Sequence, residues 1–249
     1  MAPSQTDSAG SPRGLAVAQT IKMGFVRKAM ARGMKASIAA AALSQISREV
    51  DVQALQELRR DRAAAGEDIS LNALIMCAVA RTLPRHPLLN AELQGDEILV
   101  YEPINLGMAV AIPDGLVVVV IPSADRLPAA EMARACEQLA QRARAGQLKM
   151  QDVEGGTFTV SNLGMYGVDT GFPLPRPPES AILLVGAVRP RPVAHEGQIA
   201  VRDVCWFSLT YDHRFIDGAT AARFLQDLQE LLLDAHPLVA SDAPLQARP

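Results

Sequence analysis

"VCWFSLTYDHRFIDGATAARFLQDLQELLLD", residues 204–234, changes character twice along its length. Its first part is an apolar run rich in β-branched and aromatic residues, the mark of a buried strand. Its last part predicts a helix from near Asp217 to about Asp234. Between the two stand Asp212, His213, Arg214 and Asp217. Charged groups are expensive to bury, so these either face solvent or carry chemistry. Alone, the stretch suggests chemistry without requiring it, because an aspartate at a helix start also serves as a cap.

The same alternation runs through the rest of the chain. Residues 24–37 have helical periodicity, and 43–52 read as a strand. The amphipathic helix "QALQELRRDRAAAG" (53–66) is closed by Gly66. Ser70 is the expected N-cap of an apolar helix over 71–83, which Pro84 and Pro87 bring to an end. Strands "NLGMAVAIP" (105–113) and "LVVVVI" (116–121) flank an Asp114-Gly115 turn, and the second, unbroken run predicts burial on both faces of a sheet. Pro128 opens a long helix that Gly146 stops. The strand "GTFTV" (156–160) leads into a tight turn over Ser161–Gly164. A Pro-rich excursion at 172–178 precedes the strand "AILLVGAV" (181–188), and Gly197 marks a hairpin into "VCWFSLTY". The fold class is α/β or α+β in one domain, expected over 21–240, with tails at 1–20 and 241–249.

Composition narrows the function. The chain has 249 residues, 49% of them hydrophobic, and a net charge of −3, which suits a large core and gives no basic footprint for nucleic acid. Arg59, Arg60 and Arg62 have acidic neighbours and read as a solvated helix face. "LNALIMCAVA" (71–80) is too short to span a membrane and ends at Arg81. The first residues lack the basic patch and apolar block of a signal peptide. Cys77, Cys136 and Cys205 form no spaced pair or metal motif and suit a reducing cytosol. The four histidines show no metal-ligand spacing either.

"DHRFIDG" (212–218), "GGTFTVSNLG" (155–164) and "INLGMAVAIPDGLVVVVI" (104–121) together resemble the catalytic domain of 2-oxoacid dehydrogenase acyltransferases, the E2 components. "HPLLNAEL", "RARAGQLKMQDVEGGTF" and "PPESAILLVGAV" follow in the family's order, so the resemblance covers roughly residues 22–238. It implies a chloramphenicol acetyltransferase-like fold: a mixed sheet flanked by helices, forming homotrimers with active sites between subunits. In the family these trimers build 24-mer or 60-mer cores that bind lipoyl domains and the E1 and E3 components. For a bacterial chain the implied location is the cytoplasm, with neither nucleic acid nor membrane as partner.

The implied reaction moves an acyl group between dihydrolipoamide and coenzyme A. By the family's H-R-x-x-D-G pattern His213 is the general base and Asp217 an orienting group, for which Arg27 is a candidate partner. Ser161 is the implied oxyanion donor, with a turn-forming hydroxyl as its plainer role. Arg214 alternates with His213 and is expected in a structural ion pair. Arg59, Ser70 and Asn162 are the implied coenzyme A contacts, against the plainer readings of a solvated arginine and a helix cap. The lipoyl group comes from another domain or chain, since no Asp-Lys-Ala motif is present. The chain is then a piece of a longer protein, or works with lipoyl groups carried elsewhere.

Three departures from the family stand out. Ala111 replaces an aspartate common in relatives, "AAALSQIS" (40–47) replaces an Ile-Pro-His-Phe block, and "GFPLPRPPES" (171–180) is one residue short. They keep two alternatives open: a coenzyme A-dependent acyltransferase with a different thiol or amine acceptor, and a non-catalytic scaffold core.

Overall fold

The computed structural model describes residues 14–113 and 115–239. The C-terminal tail expected at 241–249, most of the N-terminal one and Asp114 of the expected turn lie outside the described residues. In chain order the elements are α1 (Phe25–Ala40), β1 (Leu43–Asp51), α2 (Gln53–Ala64), α3 (Leu71–Thr82), β2 (Ala91–Gln94) and β3 (Glu97–Val100). There follow β4 (Leu106–Ile112), β5 (Gly115–Ile121), α4 (Ala129–Arg144), β6 (Phe158–Asn162), β7 (Ala181–Val185), β8 (Arg189–His195), β9 (Gln198–Asp212) and α5 (Gly218–Leu233).

The helix ends follow from local chemistry. Gly66 at φ +86° turns the chain out of α2, with Gly66 N donating to Ala63 O and Glu67 N to Arg62 O. Gly146, at φ +67°, ends α4 through the same pair of bonds. Ser70 caps α3 by accepting from Ala73 N at 3.1 Å, and Asp217 caps α5 by accepting from Thr220 N at 2.6 Å. No described helix is long and apolar enough to cross a membrane.

Seven strands form one mixed sheet in the order β1-β9-β7-β6-β4-β5, with β8 paired to β9. The β7–β6 and β6–β4 pairs are parallel and the others antiparallel. Helices α2 to α5 pack on one face, around a core that includes Phe158, Phe207, Tyr211 and Phe224. Successive side chains alternate across a strand, so Phe158 and Val160 of β6 enter that core while Thr159 and Ser161 point to the other face.

Two expectations need correction. β5 is not buried on both faces: it is the edge strand, and Leu116 is 38% exposed. The apolar run fully covered on both sides is β7, near the middle of the sheet. The chain is still in β6 at Ser161 and Asn162, and the turn begins at Leu163. Two elements also went unread, the β2–β3 hairpin and β8. Pro190 and Pro192 argue against a strand, but β8 pairs on one side only and does not need every N–H.

The second face of the sheet carries the 171–179 excursion on polar bonds. Gln45 Nε2 donates to Gly171 O at 2.7 Å and Ser37 Oγ to Pro175 O at 2.7 Å. The Glu179 carboxylate, with no exposed side-chain surface, accepts from Thr159 Oγ1 at 2.5 Å and faces Arg176 Nη2 at 3.1 Å. Burial pushes the Glu179 pKa up, while Thr159 and Arg176 pull it down. Gly107 makes room for this arrangement. A Cβ there would lie 2.5 Å from Thr159 Oγ1 and 2.9 Å from Val118 Cγ1.

Two stability measurements test this frame. Gly107→Ala forces a methyl group into filled space and should destabilise the fold by about 1–3 kcal/mol in denaturant melts. Arg176→Ala should lower stability by about 3 kcal/mol at neutral pH, because it leaves a buried carboxylate without its cation. The folded pKa of Glu179 is raised, so the folded state takes up the proton first as pH falls. The deficit of Arg176→Ala should therefore shrink between pH 7.5 and pH 5, and a constant deficit would contradict the assigned charge.

Candidate functional site

A cavity of about 970 Å³ forms a groove between the α2–α3 junction, α4 and the ends of β4 and β6. Met108, Ala133 and Ala140 give it apolar walls, and Glu67, Asp68, Arg134 and Arg144 bring charge to it. Such a mixture suits a long ligand with an apolar or amide-bearing arm and a charged end.

β6 delivers Ser161 and Asn162 to this groove. Ser161 is 9% exposed. The turn that follows is closed by the Asn162 side chain, whose Oδ1 accepts from Gly164 N at 2.9 Å. Asn162 Nδ2 donates to Asn72 Oδ1 at 3.0 Å, tying β6 to the first turn of α3. Asn72 is a groove residue that sequence reasoning missed. Its signal was an asparagine at the head of an otherwise apolar helix. Ser70 lines the groove as well as capping α3, and Ala111 lines it without offering a polar group. Arg59 stands exposed on α2, outside the lining.

His213 occupies the other end of the sheet, in the turn that follows β9. It is exposed, its N–H donates to Ala42 O at 2.8 Å, and its ring lies 5.6 Å from the Tyr211 ring, centroid to centroid. Asp217 is exposed and its pKa is lowered, first by the Thr220 N–H it accepts from and also by Arg223. Arg214 is in an ion pair as expected, and its partner is Asp212 at 2.6 Å.

Register sets the distance between the two ends. Ser161 is opposite Leu184, and Leu184 is opposite Ser208. His213 lies two strands across from Ser161 and five residues further along, roughly 20 Å away by strand rise and spacing. Ser161, Ser70 and Asn162 share one groove, while His213 and Asp217 share another place on the same chain. An imidazole and a hydroxyl so separated cannot meet one ligand unless a second protomer supplies one of them.

A family model described as the catalytic domain of 2-oxoacid dehydrogenase acyltransferases matches residues 16–240. The chain is 33% identical over 219 residues to the dihydrolipoyllysine-residue succinyltransferase component of the 2-oxoglutarate dehydrogenase complex of Haemophilus influenzae, covering 86% of this chain and 54% of that one. It spans about half the length of the curated relatives it matches. Among solved structures, the dihydrolipoamide acetyltransferase of Azotobacter vinelandii superposes with a TM-score of 0.87 at 29% identity, covering 96% of this chain and 100% of that one. The cubic core of a pyruvate dehydrogenase multienzyme complex superposes with the same TM-score, identity and coverage. A chloramphenicol acetyltransferase, at 17% identity and a TM-score of 0.51, shares the fold. With the family model matched over residues 16–240, nearly all of its length, the chain belongs to the 2-oxoacid dehydrogenase acyltransferases, through their catalytic domain.

Proposed function

We propose that the chain is an acyltransferase core that moves an acyl group between dihydrolipoamide and coenzyme A, in sites built between protomers of a homotrimer. The observation that carries this reading is the split itself. The groove whose lining includes the nearly buried Ser161 has no histidine in that lining, and the exposed His213 lies roughly 20 Å away, outside it. Each half completes the other only across a subunit boundary. The Azotobacter enzyme was solved to define the roles of a serine, a histidine and an asparagine in its mechanism, and these three are spaced as Ser161, His213 and Asp217 are here. An aspartate takes the last place in this chain, and its cap on α5 is one that asparagine also makes.

A free thiol has a pKa of about 8.5 and is mostly protonated at neutral pH. Neutral His213 accepts the proton of the attacking thiol as its sulfur adds to the thioester carbonyl. Ser161 Oγ–H donates to the resulting oxyanion. The tetrahedral adduct collapses, the C–S bond to the other sulfur breaks, and the His213 imidazolium returns its proton to that sulfur. No acyl-enzyme forms, and the three cysteines, all buried with thiol pKa values pushed up to about 12, play no part.

Coenzyme A fits the groove: Ser70, Asn162 and Asn72 offer polar contacts along its apolar walls, and Arg59 stands outside it. The lipoyl group arrives on another domain or chain. The exposed apolar residues of the N-terminal arm support the trimer, since Ile21, Phe25 and Ile38 are 67%, 82% and 62% exposed in the single chain. Assembly into a 24-mer or 60-mer core, with E1 and E3 as partners in the cytoplasm, belongs to the same reading.

The deciding assay offers acetyl-, succinyl- and branched-chain acyl-CoA with free dihydrolipoamide to the assembled protein. Transfer from at least one donor is expected, and none from any would overturn the reading. His213→Ala should lower kcat at least about 100-fold. Ser161→Ala, which removes the oxyanion donor, should lower kcat by about 100- to 1,000-fold with little change in KM. Wild-type turnover in either variant would remove that residue from the mechanism.

A further inference from the structure

We propose that Asp212 and Arg214 form a clamp that straddles His213 and fixes where its imidazole can go, which makes both of them positioning residues for acyl transfer. This rests on the reading of His213 as the base. Asp212 is the last residue of β9 and is 4% exposed. Arg214 Nη2 and Nε donate to Asp212 Oδ2 at 2.6 and 3.0 Å, and Nε also reaches Oδ1 at 3.0 Å. The backbone N–H of Arg214 donates to the same Oδ1 at 3.1 Å, and that of Ala42 reaches it at 3.3 Å. One carboxylate thus gathers donors from both sides of the turn and from the chain entering β1. His213 lies between the paired residues, and its own N–H is held by Ala42 O at 2.8 Å.

The geometry matters because His213 is exposed. Close packing holds a buried catalytic side chain, but an exposed one takes its position from the backbone that carries it. The ion pair joins Asp212 to Arg214 around the turn, and the His213 ring lies 5.6 Å from that of Tyr211. A base must meet its proton within a few tenths of an ångström, so a loose turn lowers the rate without weakening binding. The two-pronged contact needs a guanidinium fork. Lysine keeps the charge and loses the second hydrogen bond.

The test compares Arg214→Ala, Arg214→Lys and a control, Arg202→Ala, in the assembled protein. The control removes another β9 ion pair, from Arg202 Nε to Asp51 Oδ2 at 2.8 Å, toward the opposite end of the strand. Two quantities are read: steady-state acyl transfer from acyl-CoA to dihydrolipoamide, and deuterium exchange of the peptide 209–217. Arg214→Ala should lower kcat at least tenfold with KM for both substrates within twofold, and speed exchange at His213 at least tenfold. Arg214→Lys should fall between Arg214→Ala and the parent in both, and decides the matter should Arg214→Ala not fold. Arg202→Ala should match the parent. Unchanged exchange over 209–217 in the Arg214 variants would overturn the clamp, and so would faster exchange with an unchanged kcat. A parent protein that transfers no acyl group would sink the catalytic reading, while the exchange comparison would still decide whether the clamp holds the turn.

Discussion

β7 lies between β6 and β9, parallel to the first and antiparallel to the second, and this placement governs everything that follows. Because β6 and β9 run in opposite directions, their C-terminal ends project from opposite edges of the sheet. Ser161 is carried near one end and His213 just beyond the other. No side-chain rotation spans that gap, since it is set by hydrogen-bonded register. A reaction that needs both groups would therefore have to be built from more than one copy, which makes oligomerisation part of the proposed site.

The charges buried near these two residues have a common logic. Thr159, two positions before Ser161 on β6, bonds the buried Glu179, which Arg176 neutralises. Asp212, immediately before His213, is neutralised by Arg214 immediately after it. Each pair ties a strand end to a neighbouring segment at a point where apolar packing gives out. A buried carboxylate paired in this way adds little net stability but penalises alternative arrangements, because breaking the pair leaves its charge without a partner. Such pairs suit positions where location matters more than affinity.

Much of the fold was legible in the sequence because its signals are local. Gly66, Ser70, Pro128 and Asp217 mark helix ends within a residue, since caps depend on backbone bonds three or four positions away. Strand order is not local. "LVVVVI" has the composition of a central strand but takes an edge, and only the pairing of β4 with β6 decides that. β8 was hidden by its prolines, which an edge strand tolerates. At the site, residue types drew attention to His213 and Asp217, while Ser161 and the roles of all three came from the resemblance. The sequence could not say how far apart they lie, because that distance runs across three strands. Nor could it show that Asn72 meets Asn162 or that Arg214 closes on Asp212.

Two of the departures from the family meet in space. Gln45, within "AAALSQIS", donates through Nε2 to the carbonyl of Gly171, the first residue of the shortened "GFPLPRPPES" stretch. Ser47 in the first segment bonds Ser208 of β9 at 2.9 Å, and Ser208 lies in the cross-strand row that runs through Leu184 to Ser161. The two altered segments are therefore one structural unit, laid over the polar face of the sheet from which Ser161 projects. Any change of length in one alters the carbonyl that the other must reach, so the pair has to be read together. Ala111, by contrast, lines the groove by itself and removes a carboxylate without touching this unit. Changes in the two would then act in separate places, one above the sheet's second face and one in the groove.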